Sequence, residues 1–335
     1  MKPTTGRTLP LSTSSNKEAA RYPDRPAARD RWILQRRGPR NPVDPFRAVA
    51  AFVEDERTER GDIAPVATIF LANRECPWRC LMCDLWKNTT EQGVPPGAIP
   101  AQIHGALAAL PAARRVKLYN SGSFFDPRAI PPEDHGEIAS LLAGFERVIV
   151  ESHPALVGDS CRRLRDLLDG DLEVAMGLET AHPEALAMLN KRMTLADFRR
   201  AAQRLASDGI GLRVFVLLGL PLVPAAEAVF WVRRSLETAF DAGATAVTII
   251  PTRTGNGALE ALTEQGEFTT PALEDLEETV AFGIALGRGR VFADLWDLEK
   301  LRRCAACYPA RAERLRVINR TQLVPPSVSC ARCTA

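Results

Sequence analysis

The chain has 335 residues, 46% of them apolar, and its 43 Lys and Arg against 41 Asp and Glu leave a formal net charge of +2. That length and apolar content suffice for one large core or two smaller ones. No apolar run approaches the roughly 20 residues a membrane-spanning helix needs, and the longest, such as 214–220, are strand-sized.

The near-balance of charge hides an asymmetry. Residues 1–47 carry eleven Lys/Arg against four Asp/Glu, a net +7, which leaves −5 for the remainder. This arm is rich in Pro, Arg, Ser and Thr and lacks periodic apolar positions, so it is expected to be disordered or loosely draped on the body. Its arginines read either as a polyanion-binding surface or as a solvated tail. The N-terminus shows no apolar h-region, so no secretory signal is expected. Eight cysteines, several in C-x-x-C spacing, then argue for metal and not disulfides, in a reducing cytoplasm.

From about residue 62 the chain alternates β-rich runs with helical segments, the pattern of βα units on a parallel sheet. Strands are predicted at 65–71, 115–119, 147–152, 172–178, 212–218 and 245–250, with a seventh possible strand at 290–296. Between them lie stretches with apolar residues at helical spacing, several closed by glycines at Gly170, Gly209 and Gly243. The fold class expected is α/β, a partial (β/α)6 TIM-type barrel over 48–300, with the basic arm (1–47) ahead of it and a small four-cysteine extension (301–335) behind.

In such architectures the working residues lie beyond the carboxyl ends of the strands. The first strand runs straight into CPWRCLMCDLW, with Cys76, Cys80 and Cys83 spaced C-x3-C-x2-C. A structural zinc knot usually takes four ligands, and the first histidine, His104, comes some twenty residues later. Ferredoxin-type loops carry a fourth cysteine close by. Three thiolates alone can hold an iron–sulfur cluster while leaving one iron open to chemistry.

The second strand is followed by the small-residue turn Ser121-Gly122-Ser123, which lets a ligand approach the backbone closely. The third ends in Glu151-Ser152-His153-Pro154 and the fourth in Gly177-Leu178-Glu179-Thr180. Carboxylates there accept from a ribose hydroxyl or an ammonium group, or are solvated rim charge; His153 reads as a turn cap. A helix expected to begin near Thr194 is preceded by Lys191 and Arg192, either of which places a cation where a carboxylate could meet it. Asp126, Arg253 and Asn256 are further candidates for substrate contact, and Cys161, on the apolar side of its helix, reads as core.

At the other end, Cys304-x-x-Cys307 and Cys330-x-x-Cys333 are separated by 22 residues. Two such pairs make a four-thiolate site for zinc or, beside a first cluster, for a second [4Fe–4S] centre.

Taken together, TIFLANRECPWRCLMCDLW, KLYNSGSFFDP, VIVESHP and GLETAHPEALAMLNKRMTLADF resemble the radical S-adenosylmethionine (SAM) superfamily, in the branch of the elongator catalytic subunit and the archaeosine-synthase radical SAM subunit. The resemblance covers most of residues 30–300. It implies that Cys76, Cys80 and Cys83 ligate a [4Fe–4S] cluster whose open iron is chelated by SAM, that Ser121, Gly122, Ser123 and Glu151 line SAM, that Glu179 meets its ribose or amino group, and that Lys191 supplies the cation. The sequence departs at Ser-Gly-Ser, where many members carry Gly-Gly-Glu, and at Met82, where many carry an aromatic residue. The activity implied is reductive cleavage of SAM to a 5′-deoxyadenosyl radical and modification of a tRNA base, with an electron donor such as flavodoxin or ferredoxin, tRNA and a partner subunit as partners, and no membrane. Two rival readings are a non-catalytic iron–sulfur redox sensor and a zinc-dependent nucleic-acid-binding protein.

Overall fold

The computed structural model describes residues 21–333. An eight-stranded sheet forms its centre, in the sequential order β1 to β8. β1 (Ala50–Arg57) pairs antiparallel with β2 (Ile63–Phe70). The remaining strands, β3 (Arg115–Tyr119), β4 (Arg147–Glu151), β5 (Asp171–Glu179), β6 (Gly211–Leu218), β7 (Ala246–Pro251) and β8 (Arg290–Ala293), follow in parallel. All six predicted strands are present within a few residues of their expected ends, and so is the seventh. β1 is additional: its sequence AAFVEDER opens on a short apolar run, Ala50 to Val53, but its second half is all charged.

The sheet curls into a partial barrel. Arg213 of β6 donates to both carboxylate oxygens of Glu56 on β1, at 3.0 and 2.5 Å. Those strands stand five places apart, about 24 Å across a flat sheet. Side-chain alternation then separates the two faces. On β5, Leu172, Val174, Met176 and Leu178 point outward into the main core with Phe198 and Leu205 of α6 (Leu195–Ser207) and Leu236 of α7 (Ala228–Asp241). Glu173, Ala175, Gly177 and Glu179 alternate with them and face the lumen. The outer layer also contains α2 (Ala98–Ala109), α3 (His135–Leu141), α4 (Asp159–Leu167) and α9 (Leu273–Ala285). Thr194 and Asp197 form a capping box that starts α6 where the sequence places it. Gly209 and Gly243 follow helices in the left-handed conformation, whereas Gly170 sits where a Cβ would strike the Phe145 carbonyl.

The lumen floor is a network of ions. Glu56 accepts from Arg213 and Lys117 (2.6 Å), and Glu173 accepts from Arg213 (2.6 Å) and Arg147 (3.1 Å). Burial alone would lift the Glu56 carboxyl, but Arg213 and Lys117 outweigh it and hold it well below the usual range. The charges of Glu56 and Glu173 persist here because each is paired, Glu173 with the neighbouring strands and Glu56 with Lys117 of β3 and Arg213 of β6.

Two expectations about the ends change. Residues 1–20 of the basic arm lie outside the described residues, but from Arg21 the arm is packed, not loose. α1 (Pro26–Leu34) buries Trp32 and Ile33, with Tyr22, against Leu81, Leu259, Leu262 and Phe268. Arg29 donates to the carbonyls of Pro23 (2.8 Å) and Ala187 (2.7 Å), and Arg36 lies 3.6 Å above the Trp32 ring. The pattern escaped notice because two aromatic anchors and one Ile carry the whole contact. At the C-terminus, α10 (Tyr308–Thr321) is no peripheral tail: it touches both edge strands, β1 and β8. Among the described residues no helix is long and apolar enough to cross a membrane.

Candidate active site at the strand ends

The loop after β2 carries Cys76, Cys80 and Cys83 as free, half-buried thiols. It is tied down from three sides. Leu81 N–H donates to the Leu189 carbonyl (2.9 Å), Asn190 Nδ2 to the Arg79 carbonyl (2.7 Å), and Asn256 Nδ2 to the Leu81 carbonyl (2.8 Å). Trp78 stacks on His153 with ring centroids 3.7 Å apart. Glu75 gathers Arg37 (2.6 Å), Arg79 (3.1 Å) and Arg40. Burial pushes the Cys76 thiol up to about 11 and Cys83 to about 12, and drives Cys80 well above its ordinary value. The three sulfurs become thiolates only where positive charge compensates their loss of water.

The Ser121-Gly122-Ser123 turn faces this loop directly. A Cβ on Gly122 would stand 3.2 Å from Cys76 Cβ, so the glycine sets the closeness of the two loops. Glu151 lies beneath the turn, its Oε1 accepting from Asn120 N–H (2.6 Å) and Gly122 N–H (3.3 Å). Burial raises its carboxyl to about 7, with the turn's amides pulling the other way. Glu151 therefore props the turn. Ser123 is buried, with its hydroxyl 2.9 Å from that of Ser152.

β5 supplies the opposite wall. A bulge after Gly177 sets Glu179 at φ 65°, and its carboxylate pairs with the Lys191 ammonium. Both groups are buried. Burial works against the Lys191 charge, yet Glu179 and the neighbouring Cys80 and Cys76 hold its pKa above the usual value. The pair lies across Gly177: a Cβ there would overlap both charged ends and stand 2.9 Å from Glu179 Cδ. Of the two cations considered in the sequence, Lys191 turns inward, while Arg192 pairs with Asp30 (2.7 Å). His153 joins the walls. Its Nδ1 accepts from Ala155 N–H (3.1 Å), which leaves Nε2–H to donate to the Lys191 carbonyl (2.9 Å). Burial lowers its pKa to about 4, so the ring is neutral.

The remaining candidates are engaged elsewhere. Asn256 holds the cysteine loop and caps α8 (Ala258–Glu264) through Ala258 and Leu259 N–H. Arg253 pairs with Asp294 (2.7 Å), and Asp126 accepts from Arg128 within its own turn. Met82 packs half-buried between two small apolar clusters, and Cys161 is buried in the core as expected.

Sequence reading missed the aromatic lining. One pleat beyond Thr68 and Lys117, Phe70 and Tyr119 pack at 5.9 Å, Tyr119 and Phe215 at 6.2 Å, and Phe52 and Trp296 join Phe70 at 6.1 and 6.3 Å. Trp296 is 59% exposed. Alternate positions on several strands make this set, so only the curled sheet unites it. Beside the cysteine loop lies a cleft of ≈ 420 Å³ lined by Arg40, Arg74, Arg79 and Arg128 with Glu75 and Glu91.

No protein-family model matches the chain. Over 109 residues it is 33% identical to archaeosine synthase subunit beta of Thermococcus kodakarensis, covering 31% of this chain and 34% of that protein. Over 233 residues it is 26% identical to the subunit of the same name from Methanosarcina acetivorans, covering 63% and 64%. Both of these similarities are to proteins named archaeosine synthase subunit beta. The chain spans a third of the first and under two thirds of the second of these proteins. An uncharacterised protein of Methanocaldococcus jannaschii matches at 23% identity over 70% of this chain and 69% of its own length. Among solved structures, archaeal Elp3 of Methanocaldococcus infernus is similar over 57% of this chain and 50% of its own (16% identity, TM-score 0.45). Methylornithine synthase is similar over 95% and 91% (12% identity, TM-score 0.43).

Proposed function

We propose that this protein is a radical SAM enzyme that modifies a nucleic-acid base, with tRNA as its substrate. The observation that carries the reading is the convergence of three half-buried thiols, a small-residue turn and a buried Lys–Glu pair on one rim. The donor set fits a [4Fe–4S] cluster with one iron left for SAM: Cys76, Cys80 and Cys83 would hold it, and among the described residues no histidine or carboxylate is hydrogen-bonded to them. Cluster and SAM together would supply reductive cleavage to methionine and a 5′-deoxyadenosyl radical.

The chain's own residues do the rest. Lys191 offsets negative charge beside Cys76 and Cys80, and Glu179 fixes its ammonium in place. Gly122 keeps the turn close to Cys76, and Glu151 holds the turn's amides from beneath. Trp78 and His153 cover that side against water. The aromatic lumen suits a flat base held by stacking, which contributes about 1–3 kcal/mol per base. The arginine-lined cleft suits the phosphates of the nucleic acid that carries it. The relatives are named as subunits, which supports a partner chain completing the enzyme.

The test is anaerobic reconstitution with iron and sulfide, then dithionite and SAM, with 5′-deoxyadenosine followed by mass spectrometry against Cys80→Ala. Cluster-dependent product that rises on adding unmodified tRNA supports the reading. An intact cluster that yields none, with or without tRNA, moves the protein to the redox-sensor class or makes the partner chain a requirement for cleavage.

A further inference from the structure

The two cysteine pairs at the C-terminus can be assigned from their geometry. Cys304 and Cys307 precede α10, with Cys307 at its N-cap, and Cys330 and Cys333 close the chain's return along that helix. The return is fixed by side chains. Arg314 donates to the Pro325 (2.9 Å) and Pro326 (3.0 Å) carbonyls and Arg311 to that of Val328 (3.4 Å), while both arginines pair with the buried Glu277 of α9.

All four sulfurs lie within 4.8 Å of one another, and among the described residues no other three such ligands gather so tightly. Across the two pairs, Cys304 and Cys330 are 3.9 Å apart and Cys307 and Cys333 are 3.7 Å. A tetrahedral zinc ion with Zn–S bonds of about 2.3 Å holds its sulfurs about 3.8 Å apart. A cubane places four irons and four sulfides between its thiolates and needs them spread well beyond that. A disulfide needs about 2.05 Å, well short of either of these separations.

What the ion would fasten is equally specific. β8 is the last strand of the sheet, and among the described residues its outer edge has no partner strand. Two amides of α10 replace one. Asn319 Oδ1 accepts from Ala293 N–H and its Nδ2 donates to the Ala293 carbonyl, both at 2.8 Å. Gln322 does the same for Val291, at 2.7 and 2.9 Å. The cysteines thus stand at the root of a helix-and-return that covers the open edge of the barrel.

We propose that Cys304, Cys307, Cys330 and Cys333 bind one zinc ion, not a second iron–sulfur cluster, and that this ion fastens α10 over the edge of β8. The site is independent of the radical chemistry. Closed four-thiolate coordination is structural, and its binding energy is folding energy for the segment it ties.

Metal and sulfide analysis of the full chain, purified with zinc and iron present, decides the first half. Roughly one zinc per chain is expected in wild type and in Cys80→Ser, and none in Cys330→Ser/Cys333→Ser, whose reconstituted iron stays at about four per chain. A wild-type chain without zinc, or iron near eight that halves in the tail variant, overturns it. Should that variant fail to fold, cobalt exchanged into wild type reports the site: tetrahedral thiolate–cobalt absorption is expected, and its absence counts against the proposal. For the second half, hydrogen exchange at the Val291 and Ala293 amides is expected to quicken at least about tenfold when a chelator strips the zinc; unchanged exchange refutes the fastening role.

Discussion

Gly177→Ala probes one wall of the candidate site through the Glu179–Lys191 pair without replacing either ion. Gly177 has an ordinary negative φ, so alanine suits the backbone and would on conformational grounds stabilise it by about 0.5–1 kcal/mol. The obstacle is the Glu179–Lys191 pair. The new Cβ would overlap Glu179 Oε1 and Lys191 Nζ, so the pair must be displaced by more than an ångström. The two side chains are only 8% and 10% exposed, which leaves them no solvated alternative. Overpacking costs about 1–3 kcal/mol and separating a buried ion pair about 3–5 kcal/mol, so a net loss of about 3 kcal/mol is expected. With a urea slope of about 3 kcal/mol/M, the unfolding midpoint should fall by about 1 M. The decisive control is the same substitution in a Glu179→Ala/Lys191→Ala background. There the obstructing atoms are gone, and Gly177→Ala should be neutral or slightly stabilising. An equal cost in both backgrounds would show that the glycine serves something other than the pair, and the account of this wall would be wrong.

Glu56→Gln should destabilise by about 3–5 kcal/mol, because Arg213 and Lys117 lose their shared counter-charge in the lumen floor; a thermal midpoint within error of wild type would mean that water reaches this floor. His153 gives a pH signature. Its pKa is about 4 in the fold against 6.5 unfolded, so the unfolded chain takes the proton first. Stability from this group is complete above pH 6.5 and falls by about 3 kcal/mol as pH drops to 4. His153→Gln should flatten the urea-midpoint profile over that window; a parallel profile would place the acid sensitivity elsewhere. Asn319→Ala/Gln322→Ala should leave β8 with open donors and acceptors and bring concentration-dependent association in light scattering. A monomer at every concentration would show that α10 covers the edge without these amides.

These outcomes bear on what a sequence of this kind reveals. The parallel strands were legible because they are near-continuous apolar runs, as in 148–150 and 214–218. β1 was not, since Glu54 and Glu56 face the cations of the lumen and break the apolar pattern. The cysteine motif was legible because C-x3-C-x2-C is local. The parts that hold it were hidden by distance along the chain: Asn256 binds a carbonyl 175 residues away, and Tyr22 one 166 residues away. From sequence alone Asn256 reads as a substrate contact, and Tyr22, Trp32 and Ile33 as part of a loose arm.

The same contrast explains the two cysteine sets. Spacing announced both, but spacing alone did not choose between zinc and a second cluster for the tail. That choice depends on sulfur separations, which are set by α10, by the return along it and by the Arg311 and Arg314 contacts with Glu277. On the proposed function, three half-buried thiols on a rim beside a buried ammonium leave room for chemistry. Four thiols drawn to within 4.8 Å at the root of a covering helix leave none, and what remains for them is mechanical. On these proposals one chain uses one residue type for a reactive site and for a fastening, and the difference lies in how the fold places the sulfurs.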